Sequence, residues 1–390
     1  MSRVSPAACA CARPPPDLCV TGSMSTHALS VRTGLSVCMI VRDEARVLPR
    51  CIESLGGCRD LVRAFIDHWV IVDTGSTDGT VDILRGYGAR VGIDTSCNGD
   101  DGAIVDFARA RDAALALARC DWVLQIDADE VLQAADGAID RAIVHALRVA
   151  GGGCIGVGLR SGGAEWVSGR LFRRADARGY RSPIHEYLEH DGGFTVARDI
   201  VIHNLPDKRG KESSDARNTR ILLAALAREP QNARLWHFLG NEHRRARRDA
   251  EAADCYARAL DIGTFPIGRF HSAYYLGCCR LILGDLDAAI AAAHTAIGID
   301  PRYAEGHCLL ADALQMRGDA VAALPAYRAA LACGAPPEGA VMAVQRWAYD
   351  EHPREQIARL QGILGLQPDA PSADAMSVDA VDGDDTTERP

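Results

Sequence analysis

Residues 125–130 read Gln-Ile-Asp-Ala-Asp-Glu and follow the apolar run Trp122-Val123-Leu124. Asp127, Asp129 and Glu130 therefore crowd the end of a segment with the composition of a buried strand. Like charges so placed repel one another, and a positive group among them would relieve the crowding. In extended chain, residues i and i+2 face one side. Asp127 and Asp129 can then share a hard cation that prefers oxygen ligands, Mg²⁺ or Mn²⁺. The plainer reading is a solvated turn in which one aspartate caps a helix. The position directly after a buried strand favours the cation.

A second acidic strand end is "VDTGSTDGT". Asp73 closes an apolar run, Gly75 and Gly79 permit tight turns, and Ser76, Thr77 or Asp78 can cap a following helix. Structurally this is a well-made strand-to-helix turn. Functionally, Asp73 offers a carboxylate to a nucleobase N–H. The stretch lacks the G-x-G-x-x-G of dinucleotide sites and the G-K-[ST] of phosphate loops. Further on, "SPIHEY" sets Glu186 beside Tyr187, an arrangement suited to proton abstraction. His185 and His203, the latter in "VIHN", read as scaffold histidines when each is taken alone. Lys208, Arg209, Lys211, Arg217 and Arg220 form a basic stretch, either a solvated helix face or a loop that closes on a diphosphate.

The elements that must carry these residues follow from periodicity. "LSVCMIV", "WVIVD", "RVGID" and "WVLQID" read as buried strands. "RVLPRCIESL", "TVDILRGYG" and "IVDFARARDAALALA" read as helices between them. Such alternation gives an α/β fold with a mostly parallel sheet, whose ligand site lies beyond the carboxyl ends of the strands. "RDE" at 42–44, "DTGSTDGT" at 73–80 and "DADE" at 127–130 all fall there. "CIGVGL", "SGRLFRR" and "FTVARDIVIHN" continue as a mixed sheet, and a helix covers about Asp215 to Arg228.

From Ala233 the chain is alanine-rich, helical and repetitive. Trp236, Leu239-Gly240, Ala252, Tyr256 and Ala259 recur as Ala273, Leu276-Gly277, Ala289, Ala293 and Ala296, then as Leu310-Ala311, Ala323, Tyr327 and Ala330. This is the register of tetratricopeptide repeats, in which small residues let paired helices approach and stacked pairs share a core. The 390 residues thus divide into a disordered segment at 1–33, an α/β domain at 34–229, an all-α repeat solenoid at 230–365 and a disordered acidic tail at 366–390.

Composition narrows the function. A net charge of −9 argues against a general nucleic-acid binder. The 14 cysteines occur without a C-x-x-C, as expected for reduced thiols in a cytoplasmic protein, and zinc is not expected. No stretch is apolar enough to span a bilayer, so no integral membrane segment is expected. The first residues lack the apolar core of a signal peptide, and either Met1 or Met24 could be the start.

Four blocks, "LSVCMIVRDEARVLPRCIESL", "WVIVDTGSTDGTVDIL", "DFARARDAALALARCDWVLQIDADE" and "RLFRR" with "IHEYLEH", together resemble the GT-A glycosyltransferases of family 2. The subgroup with C-terminal tetratricopeptide repeats is the nearest in plan, and the resemblance runs from about residue 35 to 335. It implies a metal-dependent, inverting enzyme of the hexosyltransferase type that uses a nucleotide-sugar donor, usually a UDP-sugar. It places Asp73 on the uracil, Asp43 and Glu44 near the nucleoside, Arg111 on the diphosphate or sugar, and Asp127 on the ribose or metal. Asp129 would ligate Mn²⁺ or Mg²⁺, His203 would complete metal or diphosphate binding, and Glu186 would be the catalytic carboxylate. The sequence departs from the family at Asp112, where asparagine is usual, and at Leu205-Pro206, where Gly-Tyr often follows the histidine.

The expected function is sugar transfer to an acceptor the sequence does not identify. The repeats are expected to recruit a polypeptide acceptor or to mediate self-association as a homo-oligomer; the plainer alternative is that they only cap the catalytic domain. Two rivals stand beside this reading. One is a non-catalytic tetratricopeptide scaffold with a degenerate nucleotide-binding domain. The other is a nucleotidyltransferase, disfavoured because no Gly-rich basic loop follows the first strand.

Overall fold

The computed structural model describes residues 34–56, 68–150, 153–162, 164–207, 209–337, 340, 342 and 344–367. The expected disordered segment at 1–33, almost all of the acidic tail, and Lys208 lie outside these residues.

Strand β1 (Leu35–Val41) is central. Its neighbours β2 (Trp69–Asp73) and β4 (Trp122–Gln125) pair with it in parallel, with Val37 opposite Trp69 and Leu35 opposite Trp122. Strand β3 (Arg90–Ile93) extends the parallel set beyond β2. The unbroken apolar runs are explained by burial on both faces, which parallel strands under helices require. Helices α1 (Leu48–Leu55), α2 (Thr80–Gly86) and α3 (Phe107–Leu117) supply the cover. Asp106 caps α3, accepting from the Arg109 N–H at 3.0 Å.

The second half holds β5 (Glu130–Ala134), α4 (Ile139–Val149), β6 (Cys154–Ser161), β7 (Ala164–Arg173), β8 (Ala177–Arg181), β9 (Tyr187–His190) and β10 (Phe194–Asn204). The main sheet runs β3-β2-β1-β4-β7-β6-β10-β5, and β8 with β9 forms a separate hairpin. The pairings of β7 with β4 and β6, and of β10 with β5, are antiparallel, so the sheet is mixed in this half as the sequence predicts. It curls until its far edge meets the first helix: the Leu132 N–H donates to Ser54 Oγ at 3.1 Å. Leu48, Leu55, Leu132, Ile143 and Ile202 share one core.

Strand β5 was not foreseen. Its inward residues are Glu130, Leu132 and Ala134, so a carboxylate stands where an apolar residue signals a strand. The reading of "WVLQID" as one strand also overran the element, since β4 stops at Gln125 and the aspartates form the turn.

Helix α5 (Ser214–Arg228) leads into three helical hairpins: α6 (Ala233–Arg245) with α7 (Asp249–Ile262), α8 (Arg269–Ile282) with α9 (Leu286–Ile299), and α10 (Ala304–Met316) with α11 (Ala320–Ala332). Helix α12 (Glu351–Leu364) closes the stack against α11 through Ile357 and Leu360. The repeated small residues lie at the helix contacts: Ala252, Ala273, Ala289, Ala293, Ala296, Ala311, Ala323 and Ala330 are all wholly buried. The described cysteines are all free thiols. No helix among the described residues is long and apolar enough to cross a membrane.

At Gly240 the fit leaves no room, since a Cβ there would lie 2.8 Å from the Tyr256 ring. That ring is fully buried and its hydroxyl donates to Asn241 Oδ1 at 2.6 Å, so it cannot step aside. Gly240→Val is expected to lower stability by about 1–3 kcal/mol through overpacking. A urea-unfolding midpoint equal to that of the wild type would show that the first hairpin is looser than this packing.

Candidate active site

Three acidic loops meet at the carboxyl ends of β1, β2 and β4. The β1 loop is stitched to the β2 loop. The Asp43 N–H donates to Ser76 Oγ at 3.0 Å, and the Thr77 N–H donates to Asp43 Oδ1 at 2.7 Å. The Glu44 N–H donates to Thr80 Oγ1 at 2.8 Å, and the Ala45 N–H to Asp78 Oδ2 at 3.1 Å. Asp43 adopts φ +54°, a left-handed conformation that aspartate tolerates better than most residues. Asp73 is 2% exposed and closes its own turn, accepting from the Gly75 N–H at 3.1 Å and the Ser76 N–H at 3.0 Å.

Glu44 faces the third loop. Lys211 pairs with its Oε1, while Oε2 is buried without a partner. Burial pushes its carboxyl up, Lys211 opposes this, and Asp129 and Asp127 add to it. Of the described members of the basic stretch at 208–220, Lys211 reaches these acids. Arg209 pairs with Asp207, Arg217 lies over the Phe107 ring at 5.2 Å, and Arg220 turns to Glu212 at 3.2 Å.

The centre of the site is Arg111. Its Nη1 and Nη2 donate to Asp127 Oδ1 and Oδ2 at 2.8 and 3.1 Å, and its Nε donates to Glu186 Oε1. Residues from helix α3, the β4 turn and the loop after β8 thus converge on one guanidinium. Burial would lower the Arg111 pKa, but Asp127 and Glu186 hold it well above its ordinary value. A second arginine extends the chain. Arg170 on β7 donates to Glu130 Oε1 at 2.6 Å and comes within 3.8 Å of Asp127 Oδ2, and Glu130 Oε2 accepts the Asp127 N–H at 2.8 Å. The crowded acids after β4 are therefore bound by guanidinium groups from within the chain. Burial would raise Asp127, yet Arg111 and Arg170 together hold its carboxyl below the usual range. Burial pushes Glu130 up, with Arg170 working against it.

Among the described residues, no cation is in contact with Asp129. Burial and then Asp127 push its carboxyl up, and the Asn204 amide donates to it. His203, one position earlier on β10, sits opposite Val131 and Arg160, and strand alternation sends its side chain to the other side from Asn204. No group of three or more His, Cys, Asp or Glu side chains set to hold a metal ion occurs among the described residues. A divalent ion that also takes substrate phosphates needs only one or two protein carboxylates. Asp129 and Glu44 fit that demand: across Glu44, Asp127, Asp129, Glu130 and Glu186, the cations Lys211, Arg111 and Arg170 leave an excess of negative charge.

Arg170 and Asn204 were not singled out from the sequence, and Glu130 was read there only as one of the crowded acids, without a partner. Arg170 is one of many arginines, and only its place on the strand next to β4 marks it. Asp112, where the resemblance leads one to expect asparagine, accepts the Tyr180 N–H at 2.8 Å and so ties α3 to the β8 hairpin. An asparagine oxygen could accept the same bond.

Beside Glu186 lies a groove of about 2080 Å³ between the α/β domain and the first repeats, lined by Arg111, Glu186, Arg234, Phe238, Asn241 and Tyr275 among others.

Residues 36–136 match the family model described as Glycosyl transferase family 2. A TPR repeat-containing protein of Synechococcus elongatus is 31% identical over 278 residues, 66% of this chain and 64% of that protein. The SPbeta prophage-derived glycosyltransferase SunS of Bacillus subtilis is 23% identical over 238 residues, 57% of this chain and 52% of its own length. The chain thus spans less than two thirds of either relative. Among solved structures, a MamA protein covers 39% of this chain and 74% of its own, at 17% identity and a TM-score of 0.33, which is too slight a likeness to argue from. Residues 36–136 thus match the family 2 glycosyltransferase model, and a run of paired helices follows in the C-terminal half.

Arg111→Met would leave Asp127 and Glu186 facing each other without their shared cation, at an expected cost of about 3 kcal/mol. The pH dependence follows from Asp127. Its folded pKa lies below the ordinary 3.8, so its contribution is fully present above that value and is lost as pH falls through the folded pKa. The gap in denaturation midpoint between wild type and Arg111→Met should therefore be wide at neutral pH and narrow in strong acid. A gap independent of pH would show that the pair adds nothing to folding.

Proposed function

We propose that this chain is an inverting glycosyltransferase that moves a sugar from a nucleotide-diphosphate donor, a UDP-sugar, to an acceptor lying in the groove between the domain and the repeats. The observation that carries this reading is the joining of Asp127 and Glu186 by Arg111 at the strand ends, next to an excess of carboxylate at Asp129 and Glu44. Asp73 and the 43–45 loop take the nucleoside, with the Asp73 carboxylate accepting from the base. Asp127 orients the ribose or diphosphate side of the donor, and Arg111 fixes Asp127. Asp129 and Glu44, together with the donor phosphates, would hold a divalent cation, Mn²⁺ or Mg²⁺, which would supply neutralisation of the charge that develops on the leaving diphosphate.

Arg111 occupies Oε1 of Glu186 and leaves Oε2 for a substrate hydroxyl. Glu186 takes the proton of the acceptor as it attacks the anomeric carbon from the face opposite the leaving group, which inverts that centre. His203 faces away from the side on which Asn204 meets Asp129 and is given no part in the metal site. The repeats hold a polypeptide acceptor or a second copy of the chain. Reduced thiols such as the buried cysteines suit a cytoplasmic enzyme.

Two experiments test this. With a panel of UDP-sugars, slow hydrolysis is expected in Mn²⁺ and none in EDTA, and Asp129→Ala should be silent while folding normally. Equal turnover in EDTA and Mn²⁺ would overturn the metal assignment; no turnover with any donor would favour the non-catalytic scaffold. Glu186→Gln keeps shape but cannot accept a proton, so donor binding should persist while transfer drops by about 10² or more. Near-normal transfer by that variant would move the base elsewhere, with His185 next in line.

A further inference from the structure

The loop that bears Glu186 takes most of its contacts from outside itself. Ser182 and His185 both adopt left-handed backbone, φ +74° and +50°, which side chains other than glycine's resist and which persists only where the surroundings enforce it. Within the α/β domain, among the described residues, the loop's backbone is tied by the Phe107 N–H donating to Pro183 O at 2.8 Å and by Ser182 Oγ donating to Ile184 O at 2.7 Å.

Its other anchors belong to the helices that follow. Ile184 is buried in a cluster with Ile221, Leu222, Leu235 and Leu239 from α5 and α6. The His185 ring stacks on Phe238 at 4.1 Å, and its Nε2 meets Glu242 Oε1 at 3.4 Å. Glu242 is wholly buried, accepts from Asn218 Nδ2 at 3.0 Å and pairs with Arg245 at 2.7 Å, so it is itself fixed. Arg234 closes the arrangement. Its Nη2 donates to His185 O at 2.6 Å, and its guanidinium lies 4.5 Å from the Tyr187 ring, 4.9 Å from Phe238 and 5.0 Å from Phe265. Ile184, His185 and Tyr187 are thus all seated on the first repeat or the helix leading to it, while Glu186 alone turns back to Arg111.

An arginine among three rings is held by cation–π attraction and by exclusion of water. Its pKa is lowered to about 10 by burial, with Tyr187 and Glu186 acting the other way. Its Nε is buried without a partner, so the guanidinium is committed to the His185 carbonyl and the rings.

From these contacts we infer that the first repeat helix is part of the catalytic site, with Arg234 the positioning residue that fixes the Glu186 loop for proton abstraction. This rests on the assignment of Glu186 as base. A catalytic carboxylate must be held within a fraction of an ångström of its working position, and a loop with strained backbone drifts once its anchor goes. The repeats then do more than recruit an acceptor, because the α/β domain without them lacks the surface that seats its own base.

The test uses the full chain, with metal-dependent hydrolysis of a UDP-sugar as probe and hydrogen exchange as a second readout. Arg234→Met should lower kcat by about tenfold or more and leave the donor KM within about twofold, as for loss of an interaction that matters only in the transition state. Arg234→Lys, which keeps a cation among the rings and one donor, should recover part of the loss. Amides at 184–188 should exchange faster in Arg234→Met, while those of β1 and of α10 to α12 stay as protected as in the wild type. Should Arg234→Met fail to fold, Phe238→Leu removes the stacking under His185 and must show the same pattern.

Wild-type kcat and wild-type exchange would overturn the inference, as would a raised donor KM at unchanged kcat. Glu186→Gln run in parallel separates the two ideas. A slow Glu186→Gln with a normal Arg234→Met removes the anchoring alone, whereas a normal Glu186→Gln removes the base assignment and the inference with it. If no UDP-sugar is turned over, the transferase reading fails, and unchanged exchange at 184–188 removes the anchoring as well.

Discussion

One guanidinium decides where the acids of this site stand. Arg111 uses three donors of its planar fork, two on Asp127 and one on Glu186. A lysine could not hold both carboxylates in fixed orientation, because its single nitrogen has no fork to offer. The demand runs outward from there. The guanidinium is almost buried, so helix α3 must lie close on the sheet, and its Ala108, Ala110 and Ala114 allow that. The next residue, Asp112, sets the β8 hairpin through the Tyr180 N–H, and that hairpin frames the loop carrying Glu186. A buried cation must keep its partners or destabilise the fold, so folding and the geometry of the site are governed by the same contact.

The same economy of charge shapes the far side. Arg170 takes Glu130, and Lys211 takes one oxygen of Glu44, which among the described residues leaves Asp129 and the other Glu44 oxygen without a cation in contact. A buried carboxylate without a partner is costly in isolation. In the transfer proposed above, a doubly charged substrate group and its counter-ion would lie there and relieve the imbalance.

The parts legible in the sequence are those where burial and residue type agree. Strands β1, β2 and β4 are apolar runs because both faces are covered, and the repeats show because alanine, glycine and tyrosine recur where helices touch. Strand β5 hid behind Glu130, an inward carboxylate that only Arg170 on β7 makes tolerable. The β8–β9 hairpin is short and largely exposed, and its alternation is too weak to read. Arg111, Asp127 and Glu186 could be named from motifs, but their contact could not, since it joins segments far apart in the chain. Asn204 escaped notice because the adjacent His203 carries the stronger chemical signal, while the strand's pleat points Asn204 at Asp129.

Ile184, His185 and Tyr187 reach across the point where the chain passes from sheet to solenoid. Modular proteins are usually recombined at such points. Here a crossover at residue 230 would part the loop from Arg234, Phe238 and Glu242, so the first hairpin should be inherited with the catalytic domain. Among the described residues, these contacts do not extend beyond Phe265 to the later hairpins. Lineages could lengthen, shorten or replace that part of the array while retaining the same chemistry, and diversity of partners should concentrate there.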